Sequence, residues 1–346
     1  MNKYFKKACI LLSLVFIAVP LSADDNIGAG STGGEAVKVG AAGAQFLKLG
    51  VGARTAGMGG AGAAIVNDLT AVHWNPAGLA DIKGMSVGFS HGNQLFDFNH
   101  EFAAGAMPLG EDFVIAANVI SYTTDRIPIT TMAQSEGTGS KYTLSDMSLG
   151  VSLAGYLTDQ FSFGVTAKYV NNQIADLGAS GFAFDIGTMY NTGISGIRLA
   201  FSIHNLGTKM AYTGQDMATT QTWIEYSKAA PLDAEYMTSQ YEMPLIFRMG
   251  IGMEVFKFED HSLKAAVDFV TFSDVEAQFA FGAEYVWNEL VCIRGGYTLN
   301  HDQLGIGGGF GVNYVGPGFT GLVDVSVQDT KDWGMMTKLS LGFIID

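Results

Sequence analysis

Between Leu245 and Val255 the chain alternates. Leu245, Phe247, Met249, Ile251, Met253 and Val255 are apolar, while Ile246, Arg248, Gly250, Gly252 and Glu254 fall between them, with Ile246 the one large apolar residue of that second set. Successive strand side chains point to opposite faces, so this segment presents one greasy face and one small or polar face. The same pattern returns at Ala277–Trp287, where Phe279, Phe281, Ala283 and Tyr285 oppose Gln278, Ala280, Gly282 and Glu284. It returns again at Leu322–Gln328, where Val323, Val325 and Val327 oppose Asp324, Ser326 and Gln328. Hydrophobic residues make up 48% of the chain and charged residues only 15%. Yet beyond Leu21 no apolar run approaches the ~20 residues of a spanning helix. Apolar material this abundant and this dispersed belongs on strands that are oily on one side.

A soluble sandwich also alternates. Three features favour a membrane barrel instead. The segments run to about 10–13 residues, against the ~5–6 of an average soluble strand. The second face is rich in glycine and small polar residues, as a lumen would be. Tyr285, Trp287, Tyr190 and Tyr169 fall near segment ends, where aromatic girdles belong. Fourteen segments can be laid out, at 85–96, 98–109, 112–124, 141–157, 160–172, 180–191, 197–208, 243–257, 261–272, 277–288, 290–300, 303–314, 319–329 and 333–345. An even number suits a closed antiparallel cylinder with no free edge in lipid. Every second connection is tight, and the two long ones, 125–140 and 209–242, share the opposite parity. Long loops at one end and short turns at the other are the habit of such barrels. The expected fold is therefore all-β, a 14-stranded antiparallel transmembrane β-barrel.

The two ends of the chain fit this reading. Lys3, Lys6 and Lys7 precede an apolar stretch from Ala8 to Leu21 and the small residue Ala23, the pattern of a cleaved signal peptide over residues 1–23. Its loss would leave Cys292 as the one cysteine, so no internal disulfide is expected. It would also make the net charge of −14 three units more negative. An acidic exported chain is a poor partner for nucleic acid. The closing run Lys338–Asp346 alternates Leu339, Leu341, Phe343 and Ile345 on one face, like a barrel's insertion signal, but ends on Ile-Asp rather than an aromatic residue.

Residues 24–84 do not alternate. They contain GMGGAG, in which Gly57, Gly59 and Gly62 match GxGxxG. A dinucleotide loop needs a buried strand before it and a βαβ unit after it, and strands of the alternating kind follow instead. The other use of such a run is a plug whose glycines let its backbone press against a barrel wall and turn at positive φ. Asn75 and Pro76 then read as the cap and first residue of a short helical turn that Gly78 ends. The run from Phe46 to Ala61, then Asp68 and HWNPAGLA over His73–Ala80, resembles the PorV/PorQ family of outer-membrane proteins, relatives of FadL-type barrels. The resemblance implies a FadL-like barrel in the outer membrane over 85–346, with an N-terminal hatch over 24–84. It places Gly57, Gly59, Gly60, Asn75, Pro76 and Ala77 in the hatch motif. It also implies one of two roles: binding or shuttling secreted proteins in type IX secretion, or passing hydrophobic small molecules such as long-chain fatty acids through the wall. The partners would be outer-membrane lipid and either secreted cargo with its machinery or the hydrophobic compound.

No catalytic set, metal-ligand spacing or cofactor motif stands out, so neither an enzyme nor a cofactor is expected. Lys168, Arg248, Glu254, Lys264, Asp268, Glu284, Arg294 and Asp324 should point into the lumen, either as a polar path or as ion pairs holding the hatch. A charge facing lipid would cost about 2–4 kcal/mol near the midplane. The 209–242 loop carries many methionines and aromatics, including Trp223, Tyr226, Tyr236 and Met237. They could bury in the barrel mouth, on a partner or around a greasy ligand.

Overall fold

The computed structural model describes residues 42–93, 98–221, 232–331 and 334–345. The expected signal peptide, the front of the hatch up to residue 41, and Trp223 and Tyr226 lie outside these residues. Fourteen long strands form one closed antiparallel barrel. They are β1 (Met85–Asn93), β2 (Phe98–Leu109), β3 (Phe113–Thr124), β4 (Leu144–Thr158), β5 (Phe161–Ile174), β6 (Leu177–Asn191), β7 (Ile197–Gly207), β8 (Ile246–Phe258), β9 (His261–Phe272), β10 (Gln278–Trp287), β11 (Val291–Leu299), β12 (Ile306–Gly316), β13 (Phe319–Asp329) and β14 (Met335–Ile345). Each strand pairs with its sequence neighbours. The cylinder closes where β1 meets β14, from Met85 opposite Ile345 to Asn93 opposite Thr337.

Alternation decides which way each strand faces. On β6, Phe182, Phe184 and Ile186 are exposed on the outer wall while Ala183, Asp185 and Gly187 are buried inside. In a membrane, the exposed aliphatic and aromatic side chains are covered by lipid rather than left in water. The lumen of this barrel is also its core.

The short turns, such as Glu259–Asp260 and Pro317–Gly318, lie at one end. The connections 125–143 and 208–245 lie at the other. Asn288 and Glu289 both adopt positive φ in the β10–β11 turn, which matches the twist of the strands they join. Tyr156, Tyr190, Trp287 and Tyr314 are exposed near the short-turn end and form a partial aromatic girdle. Tyr169 does not belong to it. It sits inside β5 and packs against Phe182 with ring centroids 5.4 Å apart, because β5 extends to Ile174. The fourth strand starts at Leu144 rather than 141, since Lys141–Tyr142 turns away to pair with Ile127–Pro128 in a small ribbon.

Three register shifts interrupt the wall, at Tyr156/Thr158, Phe184/Ile186 and Glu254/Phe256. Beside the last of these Met253 is buried, although alternation would turn it to lipid. None of the three falls on β3, which pairs in unbroken register with both β2 and β4.

Residues 42–84 occupy the bore as four short helical turns, Gln45–Lys48, Ala53–Gly57, Ala71–Trp74 and Pro76–Asp81. Ala42 bridges to Glu242 at the long-loop end, and Lys48 pairs with Asp274 at 2.6 Å in the β9–β10 connection at the same end. Gly84 runs into β1 at the short-turn end. The hatch therefore threads the bore from one mouth to the other.

Candidate functional site

The hatch is fitted to the wall by paired absences of side chains. Gly57 lies against Gly309, where a Cβ would come within 3.0 Å of the Gly309 Cα. Gly59 has φ +63, and a Cβ there would stand 2.5 Å from the Tyr297 nitrogen. On the wall, Gly282 leaves room for Met58, Gly307 for Ala56 and Gly250 for Ala63. Gly60 turns at φ +83 with only the Trp74 ring near its Cβ position.

Asn75, Pro76 and Ala77 anchor the opposite side. Asn75 is fully buried. Its Nδ2 donates to the Ala63 carbonyl at 3.0 Å and to the Thr188 carbonyl of β6 at 3.2 Å, and its Oδ1 accepts from the Ala77 N–H at 3.2 Å. It caps the Pro76–Asp81 turn as such a residue should. Gly78 does not end that turn. It lies within it, and its lack of a side chain admits the Val66 carbonyl, which a Cβ would approach to 2.5 Å.

Three of the inward charges, Glu284, Asp268 and Arg248, touch this plug directly, and others brace them from the wall. Arg54 donates to both Glu284 oxygens, at 2.8 and 2.9 Å, and to Asp68 at 2.8 Å. Arg294 donates to Glu284 at 2.7 Å and to Asp324 at 2.5 Å. Buried charges are tolerable only when paired and hydrogen-bonded in this way, and forked arginine contacts are the strongest kind. Asp268 accepts from the Gly62 and Ala63 N–H groups, both at 2.8 Å. Arg248 lies over the Trp74 ring at 4.6 Å. Lys264 approaches Glu284 at 4.0 Å, and Glu254 lies at the short-turn side of the lumen.

Lys168, like Arg294 and Lys264, pairs within the wall: it meets Asp185 at 2.8 Å and reaches Asn205. Asp185 in turn accepts from the Asn205 N–H at 2.8 Å, which pins the positive φ of Asn205 at the β6–β7 register shift. His204 faces Asp185 at 3.2 Å and Ser202 at 2.9 Å. The order hydroxyl, imidazole, carboxylate is that of a hydrolase relay. Here Ser202 is buried and donates to the Trp74 carbonyl at 3.4 Å, so the set braces the hatch. Alternation within Phe182–Ile186 already turns Asp185 inward, but nothing local in the sequence names its partners. Arg54 and Lys338, which donates to the Gly50 carbonyl, carried no comparable signal for their partners. Among the described residues no three His, Cys, Asp or Glu side chains are arranged to hold a metal.

The long loop divides in two. Met210, Met217 and Met243 are buried, and Tyr212 and Tyr241 pack on the core as a lid over this barrel's own mouth. These are not free surface, contrary to one reading of the loop. Tyr236 and Met237 are 63% and 96% exposed.

A closed 14-stranded barrel with an oily exterior and a polar, plugged bore is a bacterial outer-membrane protein. The family model described as "Type IX secretion system protein PorV" matches residues 33–224, and the chain belongs to that family. Among solved structures, the toluene transporter TbuX of Ralstonia pickettii is similar at 14% identity and TM-score 0.53, over 85% of this chain and 97% of that one. The Pseudomonas putida toluene transporter TodX is similar at 13% identity and TM-score 0.57, again over 85% and 97%. At such identity the likeness is one of fold. No curated protein matches the chain.

Proposed function

We propose that this barrel is a type IX secretion component that holds secreted proteins at its long-loop face. The observation that carries the reading is the division of the 208–245 connection. Most of its described apolar side chains are spent on the lid, while Tyr236 and Met237 remain outside, adaptable groups suited to a protein surface. Membership of the family supports the same role, which needs no catalysis.

The rival role is a passage for hydrophobic small molecules; TbuX and TodX are toluene transporters. The glycine-fitted hatch, pressed against the wall at Gly57, Gly59 and Met58, weighs against it. The test is a deletion strain whose culture medium is compared with that of the parent. Loss of secreted proteins from the medium, restored by the parent gene but not by a Tyr236→Asp/Met237→Asp variant, supports the proposal. A full set of extracellular proteins together with lost toluene or fatty-acid uptake supports the rival.

A further inference from the structure

The hatch carries a buried imidazole that stands outside the ion pairs of the plug. His73 lies on the Ala71–Trp74 turn, and its Nε2 has no hydrogen-bond partner among the described residues. Its ring meets the Trp74 ring edge-on, with centroids 5.2 Å apart. The wall presses on Trp74 from two strands. The Arg248 guanidinium of β8 lies over the indole at 4.6 Å, and Ser202 of β7 donates to the Trp74 carbonyl at 3.4 Å.

The groups that act on His73 most strongly are Arg248 on β8, His204 on β7, Lys168 on β5 and His100 on β2, none of them a carboxylate. The two carboxylates of this region are committed elsewhere. Asp185 holds Lys168, His204 and the Asn205 N–H. Asp268 accepts from the Gly62 and Ala63 N–H groups through one oxygen, while the other lies over Gly250, and the carboxylate acts on Arg248. Lys338, which acts on His100 from β14, donates to the Gly50 carbonyl. A proton on His73 would thus add a third cation beside Arg248 and Lys168, with no carboxylate left to receive it. A buried charge without a partner is strongly disfavoured.

We propose that His73 makes the hatch acid-labile: an acidic medium frees the Ala71–Asp81 part of the plug from the wall while the barrel around it stays intact. Away from the wall the imidazole is hydrated and takes a proton near its ordinary pKa of about 6.5. In its seat it stays neutral, because burial and then the charge of Arg248 hold its pKa well below that value. A seat that excludes the proton has its full strength above about pH 6.5 and weakens about tenfold for each pH unit below it. The plug therefore has a fastening that the medium can loosen. This property of the bore is independent of the secretion reading, which rests on the long loops.

The experiment is hydrogen exchange on the detergent-purified full chain, corrected for intrinsic rates. Opening is read at the Trp74, Asn75 and Gly78 amides, which bond to Thr70, Ala71 and Asn75 within turns too short to persist once unseated. The amides of β3 are the internal reference. Between pH 6.5 and pH 5 the opening of the hatch amides rises about fifteenfold more in the parent than in His73→Gln, and β3 does not respond. His204 and His100 face the same segment in both proteins, so the difference between parent and variant isolates His73. No rise in the parent overturns the proposal, as does an equal rise in folded His73→Gln, or an equal rise at β3, which would mean that the whole barrel loosens. Should His73→Gln fail to fold, the contrast between hatch and β3 in the parent decides. Because secretion is measured separately in the deletion strain, failure here leaves that reading untouched.

Discussion

Arg54 in the hatch and Glu284 on β10 are 230 residues apart in sequence and meet through two parallel hydrogen bonds of 2.8 and 2.9 Å. Glu284 also takes a hydrogen bond from Arg294 at 2.7 Å, so it keeps a counterion when Arg54 is removed. Neutralising Glu284 instead takes the carboxylate charge from two buried arginines at once, and a buried charge that loses its partner is costly. Glu284→Gln should therefore lower the unfolding midpoint of the detergent-solubilised barrel by more than Arg54→Ala does. An equal or smaller loss in Glu284→Gln would show that the arginines gain little from this carboxylate.

Gly295 and Gly296 are neighbours with opposite fates. A Cβ on Gly296 would run into the Met58 backbone, whereas a Cβ on Gly295 would meet nothing within 4 Å. Gly296→Val should lower the yield of folded, heat-modifiable barrel, and Gly295→Val should leave it near the parent. Equal yields would mean that the hatch does not rest against this part of the wall.

Asn75→Ala removes three buried hydrogen bonds at once. Each stranded polar group costs roughly 1–3 kcal/mol, so the variant should be among the least stable of single hatch substitutions. Faster proteolysis of the hatch in intact barrels would report the loosened turn directly.

His301 sits in the β11–β12 connection at the long-loop end. Its Nδ1 accepts from the Gln303 and Leu304 N–H groups at 3.1 and 2.9 Å. Burial lowers its pKa, with nearby Lys331 and Lys48 adding to the effect and Asp302 opposing it. A histidine whose folded pKa is depressed contributes stability that is full above its unfolded value, about 6.5, and is lost as pH falls through the folded one. Hydrogen exchange at Gln303 and Leu304, corrected for intrinsic rates, should accelerate as the medium is acidified below about pH 6. His301→Asn should remove that dependence.

The wall was legible because alternation of period two is a strong, repeated signal. Leu245–Ile251 shows this well: Arg248 and Gly250 go in, and Met249 and Ile251 go out. Alternation gives the facing of a residue but not its cover: Met253 stays in register with Ala265 and Ile197, ahead of the shift at Glu254/Phe256, and is nonetheless buried. Asn75 was legible as a cap because its partner, the Ala77 N–H, is two residues away. Its bond to Thr188, 113 residues on, was not, because pairings of that separation depend on which wall strand the hatch meets. The fate of the methionines in the long loop was equally hidden. Met210 is buried only because Tyr241 folds back beside it and the two exchange backbone hydrogen bonds of 2.9 Å.

Ala42 is tied at one mouth of the cylinder and Gly84 leads into its first strand at the other. Only the second of these ties is covalent. The plug is thus leashed to the strand that makes the seam, and anything that loosens Met85 from Ile345 also slackens the leash.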